Sequence, residues 1–504
     1  MSKQLRGVLI AAAVLVAAAV TYAVLLSTLG KGTTEETASG LTSSDASSDT
    51  PSGTPSDDNV LRLYEYDSDS FVSAEITPLS GKSYRVERDG DTYFVPGLEA
   101  FSCYKSNIKL CADRLCAYPY STLVTEHVTE TEKETYGFLD PTGKAAVTLS
   151  DGTAFTLLVG ARTDDGLYYV MREGNGTVVL ASTGITSYFL RGEVSFLQSN
   201  FFSCAEDRRN GVDNFVLTDR DAKYPVMIQK TDGDRASALA LSTTYSLIYP
   251  ASMSVDSEKL DEGLKALSHF AGEGAIEIVS ESTDLSVYGL DDPRFTLSFT
   301  YQKPLADDDI SEINPNPIET HRFLISDTDE TGLCYVLSED GRVVHYFTAG
   351  AYPFMAWTLE NMAGTTFLSP MIKTLDRMTL RYGGRDFAFL FTEGDGSISA
   401  VNYEGRQLDV DNFKKFYQVV LGTGWIGMGE KAEGAEPYLT VTFDYHDDLQ
   451  KENDVMTFYP YSLRQYAVEI NGKGGFTSPK TRLDKVVSDL YKVINNETVT
   501  AFLN

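Results

Sequence analysis

The chain has 504 residues, with 72 acidic and 42 basic side chains and a formal net charge of −30. A surface this acidic repels nucleic acid and anionic lipid headgroups, so neither is expected as a partner. The five cysteines are an odd number at spacings that match no paired zinc motif, which excludes a disulfide framework and a zinc finger and leaves open one bridge within the cluster Cys103, Cys111 and Cys116.

The first predicted element is an N-terminal membrane anchor. Lys3 and Arg6 precede an uncharged apolar run, Val8–Leu26, which is close to the ~20 residues that a helix needs to cross a bilayer. We expect an uncleaved transmembrane helix within residues 1–29, and a cleaved signal peptide is the alternative. Basic residues on the N-terminal side predict a cytoplasmic N-terminus. The expected location is the cell membrane, single-pass, with the bulk of the chain extracytoplasmic.

Residues 30–58 are rich in Ser, Thr and Asp and contain almost no large apolar side chain. Such a segment cannot bury enough surface to offset the entropy lost on ordering, so a disordered linker is predicted. Its physical role would be a tether between the anchor and the folded part.

A short motif recurs along the rest of the chain. The string YGFLDP spans Tyr136–Pro141, YGLDDP spans Tyr288–Pro293, and a weaker echo, EPYL, spans Glu436–Leu439 without the Tyr-Gly element. The spacing of the prolines suits a whole domain copied in tandem. We therefore predict module 1 at 59–205, module 2 at 206–372 and module 3 at 373–504. The motif residues are Tyr136, Gly137, Pro141, Tyr288, Gly289, Pro293 and Pro437.

Each module has the same predicted order of elements. Apolar residues alternate after each motif proline, which is typical of a strand with one buried face. Helices are predicted before the motif, with Asp256 and Asp411 as N-caps, and a last helix with Ser478 as N-cap. Gly137 and Gly289 are expected at positive φ. The predicted fold class is α+β: an N-terminal transmembrane helix, then three tandem modules of antiparallel sheet plus flanking helices.

Motifs for catalysis and cofactor binding are missing from the sequence. It has no G-x-S-x-G nucleophile elbow and no H-E-x-x-H, and its five histidines are scattered. No catalytic residue, cofactor or metal ligand is predicted. An acidic insert in module 2, Asp307, Asp308 and Asp309, is a candidate contact for a basic partner. A calcium loop is the alternative there, although the insert lacks the ligand order and turn glycine of such a loop.

The Y-G-L-x-x-P string, the alternating strand after it, the short glycine hairpins and the N-terminal anchor resemble the bacterial family called domain of unknown function 4340. The resemblance covers roughly residues 60–495. It implies an anchored extracytoplasmic protein that serves a gliding-motility-type ABC transport system as an auxiliary part. The family assigns no catalytic residues, so none is carried over to this chain.

Two functions from different classes fit these observations. The first is a non-catalytic scaffold or auxiliary subunit of a membrane complex, with protein partners. The second is a module that binds a cell-envelope glycan or peptide, with the repeats providing avidity. A hydrolase is a third and less favoured hypothesis. We expect the protein to have no enzyme activity.

Overall fold

The computed structural model describes residues 60–79, 81–184, 186, 191–231, 244–303, 318–364, 366–394 and 397–501. Contacts divide the chain into two compact units. The first comprises the residues up to Ser199 together with Gly274–Ile278, and the second comprises Asn200–Glu273 and the residues from Val279 onward. The module boundaries at residues 205 and 372 stay a prediction.

Strands dominate both units and are labelled here in chain order. The strands up to residue 181 are β1 (Arg62–Glu65), β2 (Phe71–Thr77), β3 (Tyr84–Asp89), β4 (Thr92–Phe94), β5 (Ala117–Pro119), β6 (Thr122–Thr125), β7 (Gly143–Leu149), β8 (Ala154–Arg162), β9 (Tyr168–Arg172) and β10 (Val178–Ala181). Those from 200 to 348 are β11 (Asn200–Ser203), β12 (Val212–Asp219), β13 (Val226–Lys230), β14 (Tyr245–Leu247), β15 (Met253–Ser254), β16 (His269–Ala271), β17 (Gly274–Ile278), β18 (Phe295–Gln302), β19 (Ile318–Ile325), β20 (Leu333–Leu337) and β21 (Val343–Thr348). The last are β22 (Leu375–Tyr382), β23 (Arg385–Gly394), β24 (Ser397–Tyr403), β25 (Arg406–Leu408), β26 (Gly427–Gly429), β27 (Leu439–Tyr445), β28 (Asp454–Pro460), β29 (Gln465–Ile470) and β30 (Lys473–Pro479).

The helices are fewer than the strands. The α-helices are α1 (Lys105–Cys116), α2 (Glu130–Thr135), α3 (Ser257–Leu267), α4 (Leu359–Met362), α5 (Val410–Leu421) and α6 (Lys480–Ile494). Short 3₁₀ helices span Ser68–Ser70, Glu193–Phe196, Glu206–Gly211, Leu285–Tyr288, Pro353–Ala356, Ile372–Thr374 and Asp447–Leu449.

Three large antiparallel sheets share one strand order. The first runs β4-β3-β2-β7-β8-β9-β10, the second contains β15-β14-β13-β12-β18-β19-β20-β21, and the third runs β25-β24-β23-β22-β27-β28-β29-β30. Each sheet consists of two groups of antiparallel strands, one from before the motif proline and one from after it. The two groups pair at the centre of the sheet, through β2–β7, β12–β18 and β22–β27. The strand after the helix, β6 or β26, lies beside β10 or β30 in the first and third sheets.

Each unit has its own packing. In the first unit α1 lies against β2 and β4 and buries Ile108, Ala112 and Leu115. In the second unit one continuous hydrophobic core extends from Phe202 to Val499 and includes residues of both sheets. The burial pattern of β27 alternates strictly between buried and half-buried residues, as the sequence after Pro437 predicts.

The predicted helix caps are confirmed in one case of three. Asp256 caps α3 by accepting from the Lys259 N–H at 3.1 Å. The prediction of Asp411 as an N-cap was wrong, because α5 begins two residues earlier than expected. Asp409 caps it by accepting from the Asn412 N–H at 2.6 Å. The prediction of Ser478 as an N-cap was also wrong, because β30 continues through Pro479, the residue that precedes α6. The Ser478 hydroxyl instead donates to the Thr423 carbonyl at 2.7 Å.

The predicted fold class needs a correction. Its α+β content is confirmed, but the described residues are mostly antiparallel sheet, and none of their helices is long and apolar enough to cross a membrane. The transmembrane helix included in the predicted fold class is therefore not part of the observed fold. The run Val8–Leu26 and the linker at 30–58 both lie outside the described residues.

Candidate functional site

The first motif turn follows a short capped helix. Thr129 and Glu132 form a reciprocal capping box at the start of α2, and Tyr136 ends that helix. Gly137 has a φ of +78°, which confirms the expected positive value. A Cβ atom added to Gly137 would lie 2.7 Å from the backbone nitrogen of Ala161. That nitrogen donates to the Tyr136 carbonyl at 2.8 Å, so the backbone packs too closely there for any side chain.

The second motif turn also contains a glycine with positive φ, but the surrounding atoms lie farther from it. Asp284 caps the 3₁₀ helix Leu285–Tyr288 by accepting from the Ser286 N–H at 3.1 Å. Gly289 ends that helix at φ +65°, again as expected. A Cβ atom added there would meet Ser326 Cβ at 3.5 Å, an ordinary contact. Glycine is therefore favoured at position 289 by the left-handed backbone conformation alone, because a side chain there would not clash with its neighbours.

The third motif turn contains a glycine that the sequence reading missed. Gly434 lies three residues before Pro437 and has a φ of +72°. In the first two turns the glycine lies four residues before the proline, which hid the correspondence. All three turns therefore contain a left-handed glycine shortly before the motif proline.

The motif prolines share one place in the fold. Pro141, Pro293 and Pro437 each lie two residues before the first residue of a central strand, β7, β18 or β27. Proline has no N–H to donate to a sheet, so a position just outside the ladder suits it. The proline thus marks the point where the chain enters the centre of each sheet.

A pair of tyrosines recurs at all three turns. Their ring centroids are 4.5 Å apart for Tyr136–Tyr169 and for Tyr438–Tyr466, with 27° between the ring planes in both pairs. The rings of Tyr288 and Tyr335 are 5.3 Å apart in an edge-to-face contact. The partners lie on β9, β20 and β29, the third strand after each proline. Such pairs stabilise a fold by roughly 0.5–1.5 kcal/mol beyond the area they bury.

The third pair corrects the view that the third copy lacks the motif tyrosine. Tyr438 follows Pro437, whereas Tyr136 and Tyr288 precede their prolines, yet its ring reaches the corresponding strand. The repeated tyrosine of the strings GLYYV and GLCYV, at Tyr169 and Tyr335, was the available signal for the pairs in the first two copies. The sequence order around Pro437 concealed the third.

The residue after the proline makes different contacts in the second and third copies. Arg294 bonds Asp219 at 3.0 Å and contacts Asp221. Arg220 extends this network to Asp327 at 2.9 Å and also binds the Asp292 carbonyl at 2.8 Å. The second turn is therefore fastened by a network of arginines and aspartates.

Aromatic contacts take the place of that network in the third copy. Tyr438 lies edge-to-face on Tyr382, with centroids 5.3 Å apart. Lys480 Nζ lies 5.5 Å from the centre of the Tyr466 ring and is bonded to Asp484 at 2.7 Å. Burial, together with hydrogen bonds to Tyr382 and Tyr466, raises the pKa of Tyr438 well above its usual range, so its phenol stays neutral. These groups support packing and offer no proton donor or acceptor tuned to neutral pH.

The remaining candidates are distributed as follows. Asp307, Asp308 and Asp309 lie outside the described residues, so their role as a partner contact stays a prediction. Within the described ranges, no group of three or more His, Cys, Asp or Glu could hold a metal ion. All five cysteines are free thiols, and burial raises the pKa of Cys111 and of Cys116 to about 12. Thiols with such pKa values are poor nucleophiles at neutral pH.

Comparison with known families gives one match. Residues 105–276 match the family model described as Domain of unknown function (DUF4340). The matched segment is about a third of the chain and runs from α1 through β16 and into β17. It contains the first motif turn and ends before the second. The match supports the DUF4340 family for this segment, which is shorter than the resemblance drawn from the motifs. No curated protein and no solved structure matched the chain.

Proposed function

We propose that this protein is a non-catalytic scaffold or auxiliary subunit of a membrane complex, and that the complex is an ABC-type transport system. The proposal rests on one observation above all. The three sheets repeat one strand order and one tyrosine pair, while the residues beside the motif proline make ionic contacts in the second copy and aromatic contacts in the third. Repeated geometry with changing surface chemistry suits a protein whose modules contact different partners.

The location belongs to the same proposal. We place the bulk of the chain outside the cytoplasm at the cell membrane, on the basis of the N-terminal sequence alone. The gliding-motility-type transport role comes from the family resemblance, which the DUF4340 match supports over residues 105–276 at the level of the family and not of the role.

Affinity purification from detergent-solubilised membranes tests the proposal. The tagged full-length chain should retain subunits of a transport complex through washing, and deletion of a whole module should release some of them. Single substitutions of exposed polar residues should have small effects, because a few apolar anchors carry most of the energy of an interface. Recovery of glycan or peptide without protein subunits would favour the alternative, a cell-envelope ligand-binding module.

The acidic insert provides a narrower test. Replacing Asp307, Asp308 and Asp309 with serine should leave folding intact, because solvated loop charges contribute little to stability. If the insert contacts a basic partner, the substitution should weaken association, and more strongly at low salt, where charge attraction is least screened. Equal retention of all subunits at low salt would remove the insert from the interface.

A further inference from the structure

Each of the three sheets has a loop at the same place, between the second and third strands after the motif proline. These loops are Thr163–Leu167 between β8 and β9, Ser326–Gly332 between β19 and β20, and Tyr461–Arg464 between β28 and β29. They are equivalent because each is followed by a tyrosine of the repeated pair, which is Tyr169, Tyr335 or Tyr466. The third loop differs from the other two in its charge and in its exposed apolar surface.

The first two loops are acidic and contain a left-handed glycine. The first carries two aspartates, and the second carries two aspartates and one glutamate. Gly166 and Gly332 lie three residues before the paired tyrosine, with φ values of +82° and +86°. In the second loop Asp329 accepts from the Leu333 N–H at 3.0 Å and from the Tyr335 hydroxyl at 2.9 Å. The acidic side chain there helps to build the turn, because local hydrogen bonds of this kind stabilise tight turns.

The third loop has a leucine at the position of the two glycines and no acidic residue. Leu463 is 95% exposed, so its side chain contributes almost nothing to the stability of the fold. Arg464 follows it, is exposed, and makes no ion pair with any residue that the structure describes. A single exposed leucine is ordinary on a protein surface. Folding does not explain a leucine that replaces a turn glycine beside an unpaired cation, in a chain with a net charge of −30.

The backbone of the third loop is held by contacts on both sides. The Arg464 N–H donates to the Ser462 hydroxyl oxygen at 3.3 Å, and the Arg464 carbonyl accepts from the Lys480 N–H at 2.8 Å. The Tyr461 ring lies over Gly429, where an added Cβ atom would be 2.8 Å from the ring. The backbone that carries the exposed leucine is therefore ordered before any partner binds, which lowers the entropy cost of binding.

Charge decides which kind of partner fits this loop. A flat anionic bilayer would face the acidic surface of the whole chain and would be repelled by it. A pocket on a protein meets only the end of the loop, and charges more than ~8–10 Å away are largely screened at physiological salt. An exposed leucine next to an unpaired arginine is complementary to a pocket with an apolar floor and carboxylates on its rim. A protein surface of that chemistry is therefore the favoured occupant.

From these observations we infer that the loop Tyr461–Arg464 is a recognition tip for a partner protein. Leu463 enters an apolar pocket of the partner, and Arg464 pairs with carboxylates on the rim of that pocket. Burial of the leucine supplies the attraction that the fold itself does not use, and the ion pairs fix the orientation. The inference deepens the proposed scaffold function and rests on it for the existence of a partner.

Site-specific photo-crosslinking in isolated native membranes tests the recognition tip. The probe is the full-length chain with Leu463→benzoylphenylalanine, and mass spectrometry maps the residue to which it attaches. The control carries the same group at Leu390, which is 52% exposed on β23. Position 463 is expected to give one major protein adduct, mapped to an apolar residue beside aspartate or glutamate, and position 390 should not give it. No protein adduct at 463, an adduct to lipid, or a mapped site without carboxylates would overturn the inference.

Charge variants of the probe-bearing chain test the ion pairs. Arg464→Glu should lower the yield of that adduct about fivefold or more at low salt and by less at high salt, because salt screens the reversed charge. Arg464→Lys keeps the charge and should stay within about twofold. Arg322→Glu reverses another exposed arginine, on β19, and should also stay within about twofold. An equal loss with Arg322→Glu, or no loss with Arg464→Glu, would contradict a charge-dependent tip.

Three further results separate this inference from its alternatives. An adduct between two copies of this chain would identify self-association and overturn the partner-protein proposal. If purification from solubilised membranes recovers transport subunits but position 463 gives no protein adduct, the recognition tip fails while the scaffold proposal stands. If the expected adduct forms but purification recovers no complex, the scaffold proposal fails while the recognition tip stands.

Discussion

The turn around Gly137 and the turn around Gly289 look alike in sequence and differ in energetics. Both glycines have positive φ values. Only the first is pressed against another strand, where an added Cβ would approach Ala161 N to 2.7 Å, against 3.5 Å to the nearest atom at Gly289. The same repeated residue can therefore meet different requirements in different copies. At Gly289 only the left-handed backbone conformation requires glycine, whereas at Gly137 close packing requires it as well. The third copy, with Gly434 and Tyr438, reaches the same geometry from a different order of residues.

The largest effect is expected at the crowded turn. Gly137→Ala should lower the free energy of unfolding of the first unit by about 3 kcal/mol or more. Roughly 1–2 kcal/mol comes from a side chain at positive φ, and about 1–3 kcal/mol comes from the steric overlap. Denaturant titration followed by hydrogen exchange of peptides from the first unit measures the change. A loss no greater than that of Gly152→Ala, an uncrowded glycine at φ +87°, would remove the packing argument.

The next effect concerns the aromatic contacts of the third copy. Tyr438→Ala should destabilise the second unit by about 2 kcal/mol, less than the ~3–5 kcal/mol typical of a fully buried aromatic residue, because Tyr438 is half-buried. Tyr438→Phe keeps the ring and should lose much less. Thermal melting of both variants gives the comparison. If the two variants melt together, the ring contacts with Tyr466 and Tyr382 do not stabilise the turn.

A smaller effect is expected at the open turn. Gly289→Ala should lower the free energy of unfolding of the second unit by about 1 kcal/mol, the cost of a left-handed conformation for a residue with a Cβ. Gly289→Asn should cost less, because asparagine tolerates this conformation better. The same hydrogen-exchange protocol, applied to peptides from the second unit, checks both. A loss at Gly289 equal to that at Gly137 would erase the contrast between the turns.

The smallest effect is a contrast in pH dependence between two histidines. His446 Nδ1 lies 2.7 Å from Asp376 Oδ1 and its Nε2 lies 2.9 Å from the Lys373 carbonyl. Burial acts to lower the pKa of His446, but these hydrogen bonds and the nearby charge of Asp376 outweigh it, so the net shift is upward. The resulting stabilisation is present below the unfolded pKa and is lost as pH rises through the folded pKa.

His345 behaves in the opposite sense, because burial lowers its pKa to about 4. Its neutral form is favoured in the fold, so stability falls as pH drops from the unfolded value of ~6.5 toward ~4. His446→Gln should therefore destabilise more at about pH 5 than at about pH 8, and His345→Gln should show a smaller loss at the lower pH than at the higher. Melting curves at both pH values check the sign. Parallel shifts for the two variants would contradict the assignment.

Sequence alone predicted a good part of this fold for physical reasons. Alternating apolar residues after Pro293 and Pro437 predicted the central strands, since a half-buried strand requires that period. Positive φ at Gly137 and Gly289 followed from their places before a proline-ended turn. The cap at Asp409 was missed because two nearby aspartates offered equally good side chains, and the tertiary packing of α5 decides where that helix starts.

The contacts at the turns could not be predicted in the same way. The pairing of Tyr438 with Tyr466 depends on strands brought together by the sheet, 28 positions apart in the chain. Arg294 and Asp219 of the second copy occupy the positions of Tyr438 and Tyr382 in the third. This equivalence is recognised only when the strand registers of the two sheets are compared. The place of β26 beside β30, at the end of the third sheet, is likewise not revealed by its three residues of sequence.

The most direct test of the shared geometry is a pair of double-mutant cycles. Tyr438 and Tyr466 are replaced by leucine singly and together, and the same is done for Tyr136 and Tyr169. If the reversed motif of the third copy performs the same role as the first, both cycles should give a favourable coupling energy of roughly 0.5–1.5 kcal/mol. A coupling of that size in the first pair and none in the third would show that the third copy imitates the motif without its energetic contribution, and would contradict the account.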